Sequence, residues 1–110
     1  MKYIFEVHVR EGYSERQYVE AWRRASAIIQ REPGARGTML FHKHGEPGRF
    51  IAIASWESKA ARDAAFARLA ERDAETRRIL DQHEEYGEII VLGHFDEPPE
   101  VVAADPGPPA

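Results

Sequence analysis

An apolar run that ends on a tryptophan and is followed at once by a helix start limits the folds open to this chain. In Phe50-Ile51-Ala52-Ile53-Ala54-Ser55-Trp56-Glu57-Ser58, the residues before Ser55 are all apolar, on both parities of a strand. Successive strand side chains point to opposite faces, so neither face of this strand reads as solvated. Too few helices follow elsewhere in the chain to cover two faces. The molecule therefore has to bury one face against something else, and the tryptophan marks where a pocket would sit.

The remaining strands and helices are readable from the same periodicities. Tyr3, Phe5, Val7 and Val9 alternate with Ile4, Glu6, His8 and Arg10, which makes a first strand. Gly12 turns the chain, and Ser14-Glu15-Arg16-Gln17 has the spacing of a capping box. Tyr18, Trp22, Ala25 and Ile29 then form one stripe of a helix. Glu32-Pro33-Gly34 stops it, because proline lacks the N–H and disfavours helix at the residue before.

Arg36 to His44 reads as a second strand, Gly45-Glu46-Pro47-Gly48 as a turn, and Arg49 to Trp56 as the returning arm of a hairpin. Ser58 is a good helix N-cap, and Ala61, Ala65 and Leu69, with Ala64 and Phe66, give the following helix a small-residue face. A break is expected near Arg72-Asp73, before a short helix carrying Ile79 and Leu80. Tyr86 to Phe95 is the last strand.

The order is two βαβ halves joined by a hairpin. This is the α+β, ferredoxin-like βαββαβ pattern with an antiparallel four-stranded sheet. Right-handed crossovers place the helices on one face of that sheet. The other face would then expose Ile51, Ile53, Ile4, Leu40 and two of Ile89 to Leu92. A patch of that size is hard to keep in water, so a homodimer with sheet packed on sheet is expected.

Residues 1–96 make a single domain, and residues 97–110 a proline-rich tail with little to bury, expected to be disordered. No apolar run approaches the roughly 18–20 residues of a membrane span, and the N-terminus has no signal-peptide core, so neither a membrane nor export is expected. Cytoplasmic residence is the default. A net charge of −4 speaks against nucleic acid as a partner. With no cysteine, thiol catalysis, disulfides and cysteine-ligated metals are excluded.

Three elements together resemble the antibiotic biosynthesis monooxygenase family of dimeric α+β barrels. They are the doubled βαβ layout, Glu32-Pro33-Gly34-Ala35-Arg36-Gly37 between helix and strand, and Ile53-Ala54-Ser55-Trp56-Glu57-Ser58 at the third strand's end. The resemblance covers residues 1 to about 96 and leaves the tail outside. It implies a pocket between helices and sheet in each subunit. In quinone-forming members a polycyclic phenol is oxidised by molecular oxygen without metal or flavin, because a deprotonated electron-rich aromatic can itself activate oxygen.

The resemblance matches Trp56 to the family tryptophan, and Trp22, Tyr18, Phe66 and Tyr86 are the other candidate aromatic walls for a small aromatic substrate. His83 and His8 are the candidate catalytic proton carriers. No cofactor is expected. Quinone-forming and haem-degrading relatives commonly use a pocket asparagine, and this sequence contains none. The first strand offers His8 and Glu6 instead, so haem degradation is not expected.

Two other functions stay open on these residues. One is a non-catalytic dimeric domain, binding a small ligand or serving a stress response. The other is a metal site at His42 and His44, whose His-x-His spacing on one strand face zinc or copper can use, although the sequence dictates no third ligand. Arg62, Arg68, Arg72, Arg77 and Arg78 alternate with acidic residues and read as a solvated, ion-paired face.

Overall fold

A computed structural model describes residues 1–109. Its elements are β1 (Lys2–Val9), α1 (Glu15–Ile29), β2 (Ala35–His42), β3 (Arg49–Trp56), α2 (Lys59–Ala70), α3 (Ala74–Tyr86) and β4 (Gly87–Phe95). The strands form one antiparallel sheet in the order β2-β3-β1-β4, the ferredoxin-like arrangement expected from the sequence. Among the described residues no helix is long and apolar enough to cross a membrane. Beyond Phe95 the described residues 96–109 form neither helix nor strand.

The helix ends follow the local chemistry. Ser14 and Gln17 make the reciprocal capping box: the Gln17 backbone N–H donates to Ser14 Oγ, and the Ser14 N–H donates to Gln17 Oε1. Ser58 accepts from the Ala61 N–H to start α2. The long helical stretch breaks after Ala70, and Asp73 restarts it by accepting from the Thr76 N–H.

Strand pairing fixes which residues share a face, because directly opposed residues point the same way. Tyr3, Phe5 and Val7 stand opposite Ala54, Ala52 and Phe50, all beneath the helices. Val7, Tyr18, Phe50 and Ala52 are fully or almost fully buried there. Ile4 and Glu6 stand opposite Ile53 and Ile51 on the far face, and Ile53 and Ile51 in turn oppose Met39 and Phe41.

Here the structure corrects the sequence reading. Leu40 pairs with Ala52 and packs into the helix-side core, whereas Met39 and Phe41 occupy the open face, 52% and 47% exposed. Alternation along β2 separates the two parities without saying which one faces the helices; the register of the β2–β3 hairpin decides that. Ile90, opposite Glu6, completes the apolar open face, and a bulge between Ile4 and Phe5 takes Leu92 out of the pairing.

The helix-side core divides in two. Phe5, Val7, Tyr18, Phe50 and Ala52 form one cluster; Met1, Trp56 and Ala65 form another, and partly buried Tyr3 packs against both. Between the clusters a gap remains between helices and sheet, where Ala25 and Ala54 present only small side chains.

Candidate functional site

That gap is a half-open cavity of about 340 Å³ lined by the sheet and all three helices. The volume lies near the lower end of the roughly 300–1,000 Å³ typical of small-molecule sites. Tyr3, Phe5 and Ala54 form its floor, α1 contributes Trp22, Ala25 and Ile29, and α2 contributes Phe66 and Leu69. Trp56, 1% exposed, closes the β3 end, its ring 6.2 Å from that of Phe66. Its position is fixed by the backbone, where the Trp56 N–H donates to the Met1 carbonyl at 2.8 Å.

Of the proposed aromatic walls, Trp56, Trp22 and Phe66 line this cavity. Tyr18 does not. Its ring stacks on Phe50 at 5.7 Å inside the neighbouring core cluster, and its buried hydroxyl has no hydrogen-bond partner. Burial, aided by the nearby Glu84 charge, pushes that hydroxyl's pKa far above the ordinary tyrosine value, so it stays protonated. Tyr86 also lies outside, packed on Tyr13 at 4.7 Å and accepting a hydrogen bond from Gln82.

The two histidines assigned to proton transfer are separated by the sheet. His83, on α3, faces the cavity, and its buried Nδ1 makes no well-formed hydrogen bond. Burial lowers its pKa below the imidazole value of 6.5, opposed by Glu84, the Leu80 backbone and Asp81. The side chain is thus an uncharged base at neutral pH. His8 lies on the open face, where the Arg49 Nη1 approaches its ring nitrogens at 2.6–2.7 Å and Glu6 lies 3.7 Å away.

His42 and His44 do not share a strand face. His42 ends β2 against the Phe50 ring at 4.7 Å, and His44 falls in the turn that follows. The Lys43 N–H donates to the Arg49 carbonyl and closes the ladder one residue before His44. No three metal-ligating side chains converge among the described residues.

Sequence reasoning missed the charged part of the wall. Arg62 and Arg77, read as solvated, both line the cavity, together with Asp81 and Glu84. For Arg62 a signal existed: it stands one helical turn before Phe66 and two before Leu69, on the stripe that α2 turns inward.

The sequence from residue 2 to residue 78 matches the family model described as antibiotic biosynthesis monooxygenase. The chain belongs to the antibiotic biosynthesis monooxygenase family. Solved structures agree on the fold. SnoaB, a cofactor-independent oxygenase from Streptomyces nogalater, is 16% identical with a TM-score of 0.67, over 90% of this chain and 96% of that one. A Bordetella bronchiseptica chain described as a candidate antibiotic biosynthesis monooxygenase is 18% identical with a TM-score of 0.68, over 92% and 96%. No curated protein matches the chain. As a member of the antibiotic biosynthesis monooxygenase family the chain has a monooxygenase-type ancestry, but the matched segment stops before Leu80, Asp81 and His83.

Proposed function

We propose that this chain is a cofactor-independent monooxygenase acting on a small phenol- or hydroquinone-like aromatic in the cavity beside Trp56. The observation that carries the reading is His83: a neutral imidazole whose buried Nδ1 makes no well-formed hydrogen bond, in a cavity whose wall includes Trp22, Trp56 and Phe66. Flat aromatic walls hold a flat aromatic ligand. In an anthrone-type substrate the ring CH2 gives one proton to His83, and the anion passes electrons to dioxygen. One oxygen atom bonds to the ring carbon, the other leaves as water, and the CH2 becomes a carbonyl. Trp56 positions the ring, and the apolar floor keeps bulk water from the anion.

The test is oxygen uptake by protein stripped of metal and flavin, with anthrone as substrate. Uptake that falls by about a hundredfold or more in His83→Ala, the scale of one lost general base, supports the assignment. Unchanged rates in both His83→Ala and Trp56→Phe would remove it. The proposed working unit is a homodimer joined through the open sheet face of Ile4, Met39, Phe41, Ile51, Ile53 and Ile90.

A second reading, a non-catalytic dimeric domain holding a small ligand, draws on the absence of asparagine from the sequence. Saturable binding of anthrone with no oxygen uptake decides for it.

A further inference from the structure

We propose that the cavity selects an aromatic ligand carrying a carboxylate, and that Arg62 is the residue that binds this anion. The inference rests on the reading of the cavity as the substrate site and adds the chemical class of what enters it.

The Arg62 side chain is only 17% exposed. Its guanidinium carbon lies 4.1 Å from the centroid of the Tyr3 ring and 4.4 Å from that of Phe66. A guanidinium held over aromatic rings by cation–π attraction does not spend its N–H donors on a hydrogen-bond acceptor. The structure bears this out, since Nε is buried and has no hydrogen-bond partner.

A buried cation is costly unless an anion and its hydrogen bonds compensate it. The neighbouring carboxylate does so poorly: Asp63 Oδ1 is 3.6 Å from Arg62 Nη1, beyond hydrogen-bond length. Asp63 already accepts a 2.7 Å bond from Lys59, which is the main reason its carboxyl titrates below the usual range. Arg62 is therefore a fixed fork of donors in a cavity wall without a matching acceptor.

The other charges give the cavity a direction. Asp81 and Glu84 flank His83 on α3 and raise the cost of an anion near that end. Arg77 lies in the same wall, at the N-terminal side of α3. A ligand with its carboxylate at Arg62 and its acidic ring hydrogen toward His83 satisfies both ends. A phenol alone does not supply the first of these, because with a pKa near that of tyrosine, about 10, it enters uncharged at neutral pH. A carboxylate is already ionised and matches the guanidinium fork with two parallel hydrogen bonds.

The test is calorimetric titration of the full chain at neutral pH with naphthoate and with its neutral, nearly isosteric amide, naphthamide. Wild-type protein should bind naphthoate about tenfold or more tightly than naphthamide, the ratio one charge-assisted hydrogen bond to a buried cation supplies. Arg62→Gln should bring the two affinities together by weakening naphthoate alone. Arg62→Lys, which keeps the charge without the fork, should hold an intermediate preference. Arg68→Gln, on the exposed side of α2 and paired with Glu32 at 2.9 Å, should change neither. Circular dichroism of each variant verifies folding, and the Lys variant serves if the Gln variant does not fold.

Wild-type protein that binds both probes equally, or neither, overturns the proposal, as does a preference that survives in Arg62→Gln. Because the readout is binding, its outcome is separate from that of the oxygenase reading. Naphthoate selectivity without oxygen uptake would sink only the catalysis, and anthrone turnover without naphthoate selectivity would sink only this.

Discussion

Gly87 meets Tyr18 where no β-carbon can stand: one placed on Gly87 would lie 2.8 Å from both Cδ2 and Cε2 of the tyrosine ring. It would also lie 2.8 Å from Cγ1 of Val7. Both neighbours are completely buried, so neither can swing aside into solvent. The Gly87 backbone is ordinary extended strand at φ −141°, which makes the requirement steric rather than conformational. Gly87→Ala should therefore behave as overpacking and cost about 1–3 kcal/mol. For a domain of this size each kcal/mol corresponds to roughly 4–8 °C of Tm, so thermal melting reads it directly. A variant melting with the parent would show that Tyr18 has room the structure denies it.

Gly34 carries two constraints at once, and they can be separated. Its φ is +87°, and a β-carbon there would come within 2.7 Å of the Ala61 β-carbon on α2. The left-handed backbone alone costs a side-chain-bearing residue about 1–2 kcal/mol. Gly34→Ala should exceed that figure, and adding Ala61→Gly should recover the contact portion and leave the backbone portion. Denaturant unfolding of the two single variants and the double variant gives the coupling. Strict additivity would mean that α2 shifts freely away from the turn and the contact carries no energy.

His83 makes stability depend on pH with a definite sign. Its folded pKa is below 6.5, because burial disfavours the charged ring. Above pH 6.5 the ring is neutral in both folded and unfolded chains, and the full stability is present. As pH falls from 6.5 toward the folded pKa, the unfolded chain takes up a proton that the folded one refuses, so stability is lost. Below the folded value the loss is complete. The stability difference between wild type and His83→Gln, followed by denaturant unfolding across this window, should shrink as pH falls. A difference independent of pH would place the imidazole in a wetter setting than the cavity wall.

The strand and helix order, the caps at Ser14 and Ser58, and the break before Asp73 were legible because each depends on neighbours within one turn. Trp56, Trp22 and Phe66 as cavity walls were legible for a related reason: aromatic stripes at helical spacing and an aromatic at a strand end both point at the helix–sheet layer. What local pattern could not supply was register. Leu40 and Met39 exchange faces, and His8 lies across the sheet from His83, because pairing between distant strands assigns the faces. Arg62 was hidden by its charge. A guanidinium reads as solvated until the structure shows the Tyr3 and Phe66 rings against it. Tyr18 sits on the same helix stripe as Trp22, one turn away, and that turn carries it past the cavity into solid core.

The open sheet face supplies the last prediction. Ile53 stands at its centre, opposed by Ile4 on one side and Met39 on the other. A two-fold axis through that face would bring the apolar set of each copy against the other, and any change at Ile53 would enter the interface twice. Ile53→Glu places two like charges in a desolvated contact, where each unpaired ion costs several kcal/mol. In a monomer the same carboxylate would face water. Sedimentation equilibrium at micromolar concentration should therefore find the wild type dimeric and Ile53→Glu monomeric, with unchanged far-ultraviolet circular dichroism. Arg72→Glu, on the exposed linker between α2 and α3, should stay dimeric. A monomeric wild type would remove the proposed dimer. An Ile53→Glu variant that remained dimeric would move the interface off the sheet.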